Sequence, residues 1–489
     1  MLSSRVLFLR HCVLAFALCA GAWAAPADET EFGPFYHEFQ LTLEPGHREE
    51  ALGPFYYRQQ SGRTGDLFRI WAVPPLFSYA RNDDVDYEQF DFLWKLASYA
   101  RYGPEHRLQI LQWWSIAGGG TQSGTNVHRF TLFPFYFQQR SAIPEKNYTA
   151  VLPFYGTIKG RFFRDEVHFV LFPIYGQSRK RDVVTDNYLY PFFHLRHGDG
   201  LHGWQFWPLF GMEHKDVTEP TNNWGERVLV PGFDRFFALW PFFHDQRAGL
   251  GTTNVVHQQA FLPLYSFLSS NPRATFTAPW PIGFSYTDDR QRKYKEWGAP
   301  WPFIVFARGP GKRTDRIWPL FSQSHNDTQT SDWYAWPIYK YNRLHSDPLD
   351  RERTRILFFL YSDVSQKNTE TGQRQHRVDF WPLFTSTRDF DGRHRLQVLT
   401  FVEPFLPNNT SVQRDLSPIW SLWRSEKNPN TGASSQSLLW NLYRRDKTSE
   451  VRKCSLLFGL FKYQSDPEGK RWRVFYIPFG GKKAGPAPP

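Results

Sequence analysis

The sequence predicts an all-β repeat protein, and three observations lead to that prediction. A short aromatic unit built around a proline recurs about every 19 residues between Pro34 and Pro478. The segments between these units alternate aromatic or β-branched residues with polar ones, and turn-forming stretches such as DFDGR and NPNTG separate them. No segment shows a sustained helical period, and only residues 88–100 resemble a helix, weakly. We therefore expect strands and hairpins joined by short turns.

The repeat unit reads Leu or Phe, then Trp, Phe or Leu, then Pro, then Leu, Phe or Ile, then Tyr or Phe. We predict about 24 repeats of about 20 residues each. Most units have proline at the centre, at Pro34, Pro54, Pro75, Pro134, Pro153, Pro173, Pro191, Pro208, Pro231, Pro241, Pro263, Pro281, Pro302, Pro319, Pro337, Pro382, Pro404, Pro418 and Pro478. Five further units keep the spacing without proline and are centred on Lys95, Gln112, Phe359, Asn441 and Gly459.

The residue at the centre of each unit predicts a break in the β-ladder. Proline has no N–H to donate to a ladder, so it occurs at edges, bulges and strand starts. Asn441 and Gly459 take its place in units that are otherwise regular. Pro, Asn and Gly share neither size nor polarity, but all three favour bulges, bends and turns. We expect a central kink at the same level in every unit, with the neighbouring aromatic side chains stacked into a continuous apolar seam.

A curved or closed array of strand or hairpin units explains this pattern best. The alternative is an outer-membrane antiparallel β-barrel, which exported, aromatic-rich and cysteine-poor β-proteins commonly form. In TDRIWPLFSQS the apolar block has five residues and covers about 16 Å, which is less than the ~25 Å apolar band of such barrels. The aromatic unit also keeps its orientation every ~20 residues, whereas single spanning strands alternate in direction. A triangular β-helix accounts less well for one apolar block per unit.

The ends of the chain differ from the repeat region. Residues 1–24 begin with Arg5 and Arg10, continue with an apolar run and end with Ala22-Trp23-Ala24, a pattern typical of a secretory signal peptide. We predict a single β-repeat array over 25–481 and a disordered tail over 482–489. No later stretch approaches ~18 uninterrupted apolar residues. Cleavage would leave Cys454 as the only cysteine, so no intramolecular disulfide could form.

The charge of the chain favours anionic partners. Its formal net charge is +11, which suits acidic polysaccharide or lipid headgroups. A solvated surface with no such partner, or a partner protein of the envelope, remains an alternative. The basic residues are scattered and form no long run, and the chain is expected to be exported, so we expect no nucleic-acid partner.

From the sequence we predict no catalytic residues, no metal site and no cofactor. The segment GPGKRT (309–314) lacks the spacing of a phosphate-binding loop and predicts a turn, and the glycine-rich segment 117–126 predicts a flexible loop. His194, His197, Asp199 and His202 have side chains that can ligate metals, but they fall in a predicted turn.

Three further features leave alternatives open. Cys454 is expected to be buried and inert. The interruption at 213–227, which contains Trp224, is the best candidate for a functional loop, although an inert insertion explains it as well. The repeated tryptophans would form either core or, if they project outward, a platform on which sugar rings stack.

The chain resembles a class of exported bacterial β-repeat proteins. The opening units ALGPFYYRQQ and WAVPPLFSYAR, the later WPLF units and the closing LLFGLFKY and RVFYIPF carry the resemblance, which covers essentially the whole mature chain. It implies the repeat architecture and a location in the periplasm or outer membrane, and it implies no activity. We therefore expect a non-enzymatic cell-envelope protein with a structural or binding role, and an outer-membrane barrel for transport or anchoring is the alternative.

Overall fold

The structure is a computed structural model of the chain, and it describes residues 31–63, 66–120, 126–221 and 224–479. The predicted signal peptide at 1–24 and the predicted tail at 482–489 lie outside the described residues. The described part is almost entirely β, as the sequence predicts, and forms one sheet of 44 strands. Residues 88–100, which resemble a helix in sequence, form strands instead, so that expectation is wrong.

The strands are short, and most have five to eight residues. The first third comprises β1 Glu31–Phe32, β2 Tyr36–Gln40, β3 Gly46–Ala51, β4 Tyr56–Arg63, β5 Asp66–Val73, β6 Phe77–Asn82, β7 Tyr87–Phe92, β8 Ala97–Tyr102, β9 Glu105–Ile110, β10 Trp114–Gly118, β11 Val127–Leu132, β12 Tyr136–Ser141, β13 Tyr148–Val151, β14 Tyr155–Arg161 and β15 Arg164–Val170. The middle third comprises β16 Tyr175–Lys180, β17 Val183–Tyr188, β18 Phe193–Gly198, β19 Leu201–Phe206, β20 Phe210–Lys215, β21 Gly232–Ala238, β22 Phe243–Leu250, β23 Val256–Phe261, β24 Tyr265–Ser269, β25 Arg273–Ala278, β26 Phe284–Asp289, β27 Tyr294–Gly298, β28 Ile304–Arg308, β29 Lys312–Ile317 and β30 Phe321–Asn326. The last third comprises β31 Gln329–Tyr334, β32 Tyr339–Ser346, β33 Leu349–Ile356, β34 Tyr361–Asn368, β35 Arg374–Phe380, β36 Phe384–Arg388, β37 His394–Val398, β38 Trp423–Asn428, β39 Ala433–Leu438, β40 Tyr443–Lys447, β41 Arg452–Leu456, β42 Phe461–Asp466, β43 Gly469–Val474 and β44 Ile477–Phe479.

Each strand pairs antiparallel with the next one along the chain, so successive connections lie at opposite edges of the sheet. We call one edge the aromatic edge, because its connections hold most of the predicted repeat centres. Apart from a longer insertion at 399–422, these connections are 33–35, 52–55, 74–76, 93–96, 111–113, 133–135, 152–154, 171–174, 189–192, 207–209, 239–242, 262–264, 279–283, 299–303, 318–320, 335–338, 357–360, 381–383, 439–442, 457–460 and 475–476. The opposite edge, from 41–45 to 467–468, is the polar edge.

The repeat centre reverses the chain rather than bending a strand. In Leu171–Ile174 the amide of Ile174 donates to the carbonyl of Leu171 at 2.8 Å, and Pro173 occupies the third position after a cis peptide bond, as in type VI turns. In units without proline the backbone enters the left-handed region, with φ of 51° at Trp440 and 67° at Asn441. A repeat of about 20 residues is therefore one hairpin, and the expected central kink is the turn between its strands.

Four of the predicted centres lie elsewhere. Pro231 directly precedes β21 on the polar edge, and Pro478 lies inside β44. Pro404 and Pro418 belong to the insertion between β37 and β38, which contains a π-helical turn at Val412–Leu416 and a short helix, α1, at Ser417–Trp420. The insertion is not evident from the sequence, because Pro404 and Pro418 resemble two further repeat centres.

The sheet has two faces, and we call one of them the inner face. It carries Tyr57, Ala150, Ser322, Arg355 and Arg424, which lie in one row of directly paired residues next to the aromatic edge. Many members of this row are small, and some of the apolar ones form local cores. Two such clusters are Tyr57, Ile70, Ala72 and Ala80, and Phe137, Tyr148, Ala150, Ile158 and Phe169.

The sheet is open, and side chains rather than strand pairing bring its two ends together. Among the described strands, β1 pairs only with β2, and β44 only with β43. Thr42 donates a hydrogen bond of 2.7 Å to Asp446, and the guanidinium of Arg444 lies 3.5 Å from the ring centre of Phe39. The inner face of the first strands thus meets the inner face of the last ones. None of the helices in the described ranges is both long and apolar enough to cross a membrane.

Candidate anion-binding cavity

The junction of the two ends encloses a cavity of about 630 Å³. Three parts of the chain form its walls. The first strands contribute residues such as Arg48 and Gln59, the strands from β33 to β40 contribute their inner face, and the insertion contributes Pro407 and Gln413. The cavity therefore exists only because residues far apart in sequence come together.

The insertion is fastened to the sheet by buried carboxylates. The Glu403 side chain is fully buried and pairs with Arg395, and it accepts a hydrogen bond of 3.0 Å from Ser417. On the other side Tyr57 donates a hydrogen bond to Asp415, which also receives two hydrogen bonds from Arg414 at 2.7 and 2.9 Å. Burial and the Asp415 charge raise the pKa of Tyr57, so its hydroxyl stays protonated and keeps donating.

Most arginines of the cavity have an acidic partner on the same face. These ion pairs are Arg48–Glu50 at 2.6 Å, Arg377–Asp379 at 2.8 Å, Arg444–Asp446 at 2.6 Å and Arg424–Glu426 at 3.3 Å. Each carboxylate offsets one guanidinium, so these pairs leave little net charge to attract a ligand.

Strand β33 is the exception, because its basic and acidic residues alternate in sequence and therefore separate onto opposite faces. The inner face carries Arg351, Arg353 and Arg355. Asp350 and Glu352 point to the other face, where Arg343 of β32 lies 2.9 Å from Asp350. The acidic residues of β33 therefore neutralise a cation on the opposite face of the sheet. They do not neutralise the three arginines of the inner face.

The strands beside β33 supply a fourth cation and no carboxylate directly opposite these arginines. Lys340 pairs directly with Arg355, which places two like charges opposite each other. The direct neighbours of Arg353 are Asn342 and Val364, and those of Arg351 are Leu344 and Gln366. We call Lys340, Arg351, Arg353 and Arg355 the basic cluster. Within the described part of the chain, no carboxylate forms an ion pair with any of the four.

Burial makes the charge of this cluster costly. The Nε atoms of Arg351 and Arg353 are buried without a hydrogen-bond partner among the described residues. Burial, together with the charges of Arg355 and Arg351, lowers the pKa of Arg353 to about 10, and Asp379 opposes this only weakly. Burial and Arg351 also lower the pKa of Arg355. A bound anion would supply both the missing charge and the missing acceptors.

The remaining lining of the cavity suits a hydroxylated ligand. Side chains with hydroxyl or amide groups surround the cluster, namely Ser362, Gln366, Gln375, Thr387, Asn408, Thr410, Gln413, Ser435 and Ser437. Apolar side chains are few and include Leu41, Leu43 and Val364. Guanidinium groups bind carboxylate and sulfate through two parallel hydrogen bonds, while amides and hydroxyls bind sugar hydroxyls. The arrangement can therefore hold an anion that also carries many hydroxyl groups.

The described residues of the segments GPGKRT, 117–126 and 213–227 do not line this cavity. Residues 309–311 of GPGKRT join β28 to β29, so the predicted turn is confirmed. Within the glycine-rich segment 117–126, residues 121–125 lie outside the described residues. The interruption at 213–227 begins in β20 and continues along the polar edge, where Thr218 bridges Val230 and Trp224 is 84% exposed.

The histidines and the cysteine differ in their surroundings. His194 contacts the carbonyl of Pro191 at 2.7 Å, and Asp199 pairs with Lys215 at 2.7 Å, so each already has a protein partner. His197 faces His202 across the β18–β19 hairpin. Cys454 is only half-buried, so the expectation of a buried thiol is wrong.

The basic cluster went unnoticed in the sequence, although a signal for it is present. The segment LDRERTRI has arginine at every second position from Arg351 to Arg355. If the segment is assigned to a strand, its three arginines fall on one face and its acids on the other. The net charge of the whole chain does not reveal this separation. Asp350 and Glu352 reduce the net charge of the segment, although they lie on the opposite face from the three arginines.

Comparisons with known proteins give no assignment. No family model matches the chain, and no curated protein matches it either.

Proposed function

We propose that the protein is a non-enzymatic binding protein of the cell envelope that holds an acidic polysaccharide in the cavity between its two sheet ends. The observation that carries this proposal is the basic cluster, whose members Arg351 and Arg353 line the cavity and whose four cations have no ion-pair partners among the described residues. The signal-peptide pattern and the resemblance to exported repeat proteins support the location.

The composition of the cavity favours polysaccharide over the lipid headgroups that the charge of the chain also allows. A lipid would bring acyl chains, and the lining next to the cluster is polar rather than apolar. A volume of about 630 Å³ lies in the range of sites for ligands larger than a single inorganic anion. A carboxylated or sulfated glycan offers repeated anionic groups together with hydroxyls for the amide and hydroxyl side chains.

Titration calorimetry with defined glycans tests the proposal. Polygalacturonate and dextran sulfate should bind, unsubstituted dextran should not, and the affinity should fall as salt concentration rises. Arg351→Gln combined with Arg353→Gln should weaken polygalacturonate binding about tenfold or more, because both residues line the cavity and each lost charged hydrogen bond contributes to the affinity. The matched control is Arg343→Gln combined with Arg388→Gln, which removes two charges from the outer face of nearby strands.

Two results would contradict the proposal. One is unchanged polygalacturonate affinity in the Arg351→Gln, Arg353→Gln variant. The other is equal affinity of the wild-type protein for unsubstituted dextran and for polygalacturonate, because the cations would then play no part.

A further inference from the structure

The aromatic edge is a continuous apolar border. Outside the 399–422 insertion, its connections contain no Asp, Glu, Arg, His, Ser or Thr. Their polar residues are Lys95, Gln112 and Asn441. The polar edge is the reverse, with turns such as 83–86 (DDVD) and 290–293 (RQRK).

The apolar side chains of this edge project away from the sheet. Phe154, Leu264 and Leu320, each directly after a proline, are 62%, 58% and 64% exposed. Neighbouring tryptophans pack against each other with their rings tilted, as in the Trp318–Trp336 pair with ring centres 6.2 Å apart, yet both rings stay partly exposed. Next to the edge, the last residues of the strands on the outer face add a second apolar row that includes Tyr155, Phe210 and Phe284.

The backbone N–H groups of this border are hydrogen-bonded within the protein, as two of its turns show. In Leu239–Phe242, the amides of Leu239 and Trp240 donate to the preceding turn, to Leu209 at 2.6 Å and Pro208 at 2.7 Å. The amide of Phe242 donates to Leu239 at 2.8 Å, and Pro241 has no N–H. Residues 335–338 repeat this arrangement on the turn at 318–320. The N–H groups of these two turns are therefore all hydrogen-bonded inside the protein, and no backbone donor of these turns would be left unpaired in lipid.

Basic side chains dominate the level just inside this border from β29 onward. There the inner row next to the aromatic edge has one carboxylate, Asp379, against seven cations. Two of them, Arg424 and Arg444, are paired with Glu426 and Asp446, and the others are Arg316, Lys340, Arg355, Lys462 and Arg473. When the turns lie among acyl chains, this row comes level with the phosphates of the headgroups, whose charge it complements.

We propose that the aromatic edge is an interaction surface that enters the interfacial region of one leaflet of a lipid bilayer. This surface suits a lipid bilayer in three respects. It exposes Trp, Tyr and Phe rings, the N–H groups of its turns are hydrogen-bonded within the protein, and a row of cations lies behind it. A protein partner would instead need complementary shape along a border that extends from residue 33 to residue 476. The surface is separate from the polysaccharide cavity, so either proposal can fail without the other.

Flotation with vesicles tests this inference on the full mature chain. Wild-type protein should float with phosphatidylcholine vesicles that contain phosphatidylglycerol, and it should still do so at about 0.5 M NaCl, where exposed charges are screened. The variant Phe154→Glu, Leu264→Glu, Leu320→Glu should lose about nine-tenths or more of the floated fraction, because three carboxylates cannot enter the interface without a large desolvation cost.

The matched control places the same three charges on the polar edge. Val85, Phe163 and Phe390 are apolar and exposed in turns of that edge, and Val85→Glu, Phe163→Glu, Phe390→Glu should float like wild type. The Arg351→Gln, Arg353→Gln variant should also float, because neither residue belongs to the row next to the aromatic edge, and this separates the surface from the cavity.

Quenching of wild-type tryptophan fluorescence by brominated lipids needs no variant and decides the question if the aromatic-edge variant fails to fold. Quenching supports insertion. Three results would overturn the inference: no quenching, no flotation of the wild type with the vesicles that contain phosphatidylglycerol, or equal flotation of both triple variants.

Discussion

The side-chain amide of Asn441 donates a hydrogen bond of 2.7 Å to a carboxylate oxygen of Glu50, which joins a turn of the aromatic edge near the end of the chain to β3 near its start. The other Glu50 oxygen accepts from Arg48 at 2.6 Å. Both residues are buried. This contact helps to hold the two ends of an open sheet together, and no pairing between the described strands joins these ends.

Replacing Asn441 tests this link. Asn441→Asp would set a second carboxylate against Glu50 and should lower the free energy of unfolding by about 1–3 kcal/mol, measured by urea denaturation. Asn441→Gly deletes the same hydrogen bond without adding a charge and keeps the backbone unstrained, because glycine adopts the φ of 67° freely. It should cost less than the aspartate variant, and wild-type stability in both variants would mean that the Glu50 contact is unimportant.

Acid should loosen the same junction through Asp446. Burial alone would raise the pKa of this carboxyl, but the Arg444 charge and hydrogen bonds from Arg444, Ser435 and Thr42 hold it below its usual value. A carboxyl with a depressed folded-state pKa stabilises the fold at neutral pH, and this contribution is lost as pH falls through that pKa, below about pH 4. The urea midpoint of wild type should therefore drop between pH 6 and pH 3 more than that of Asp446→Asn. Parallel curves for the two proteins would refute this assignment.

Asp91 should behave in the opposite sense. Burial raises the pKa of the Asp91 carboxyl. Gln89 donates a hydrogen bond of 2.6 Å to its Oδ2, but its Oδ1 has no hydrogen-bond partner among the described residues. A carboxyl with a raised folded-state pKa stabilises the fold below its unfolded-state pKa, and that contribution is lost as pH rises through the folded-state value. Asp91→Asn should therefore raise the unfolding midpoint at pH 7, and its advantage should vanish near pH 4. A lower midpoint at pH 7 would show that the charge is needed.

Glu403 should be essential to the insertion. Its buried carboxylate pairs with Arg395 and accepts from Ser417, so Glu403→Gln leaves a buried guanidinium without its counter-charge. The expected loss is about 3–5 kcal/mol in the free energy of unfolding, with faster proteolysis inside 399–422. Glu468→Gln is the control, because Glu468 is exposed and lies 3.6 Å from Arg471. Equal proteolysis rates in the two variants would contradict the anchoring role.

The basic cluster should reduce stability. Removing one of its like charges relieves repulsion and burial cost, so Arg353→Gln should raise the thermal midpoint while it weakens polygalacturonate binding. Adding polygalacturonate should raise the midpoint of wild type more than that of the variant. A lower midpoint for the unliganded variant would indicate that Arg353 stabilises the fold.

The hairpin repeat was predictable because its signal is local. Proline, glycine and asparagine recur where a turn needs them, and Trp318 and Phe321 flank such a turn in the same way as their counterparts elsewhere. The insertion could not be recognised in the sequence, because Pro404 and Pro418 resemble the central prolines of two further repeats. The cavity could not be derived, since it depends on Arg48 and Glu50 meeting residues almost 400 positions later, and no spacing in the sequence encodes that meeting.

The alternation of aromatic and polar connections restricts how this chain can change length. Loss of a single strand, for example β25, would place every later proline turn among the charged turns of the opposite edge. Loss or duplication of a complete hairpin of about 20 residues leaves each remaining turn on its own side. Natural variants of this architecture should therefore differ in length by whole hairpins, so that size evolves in discrete, even-numbered increments of strands.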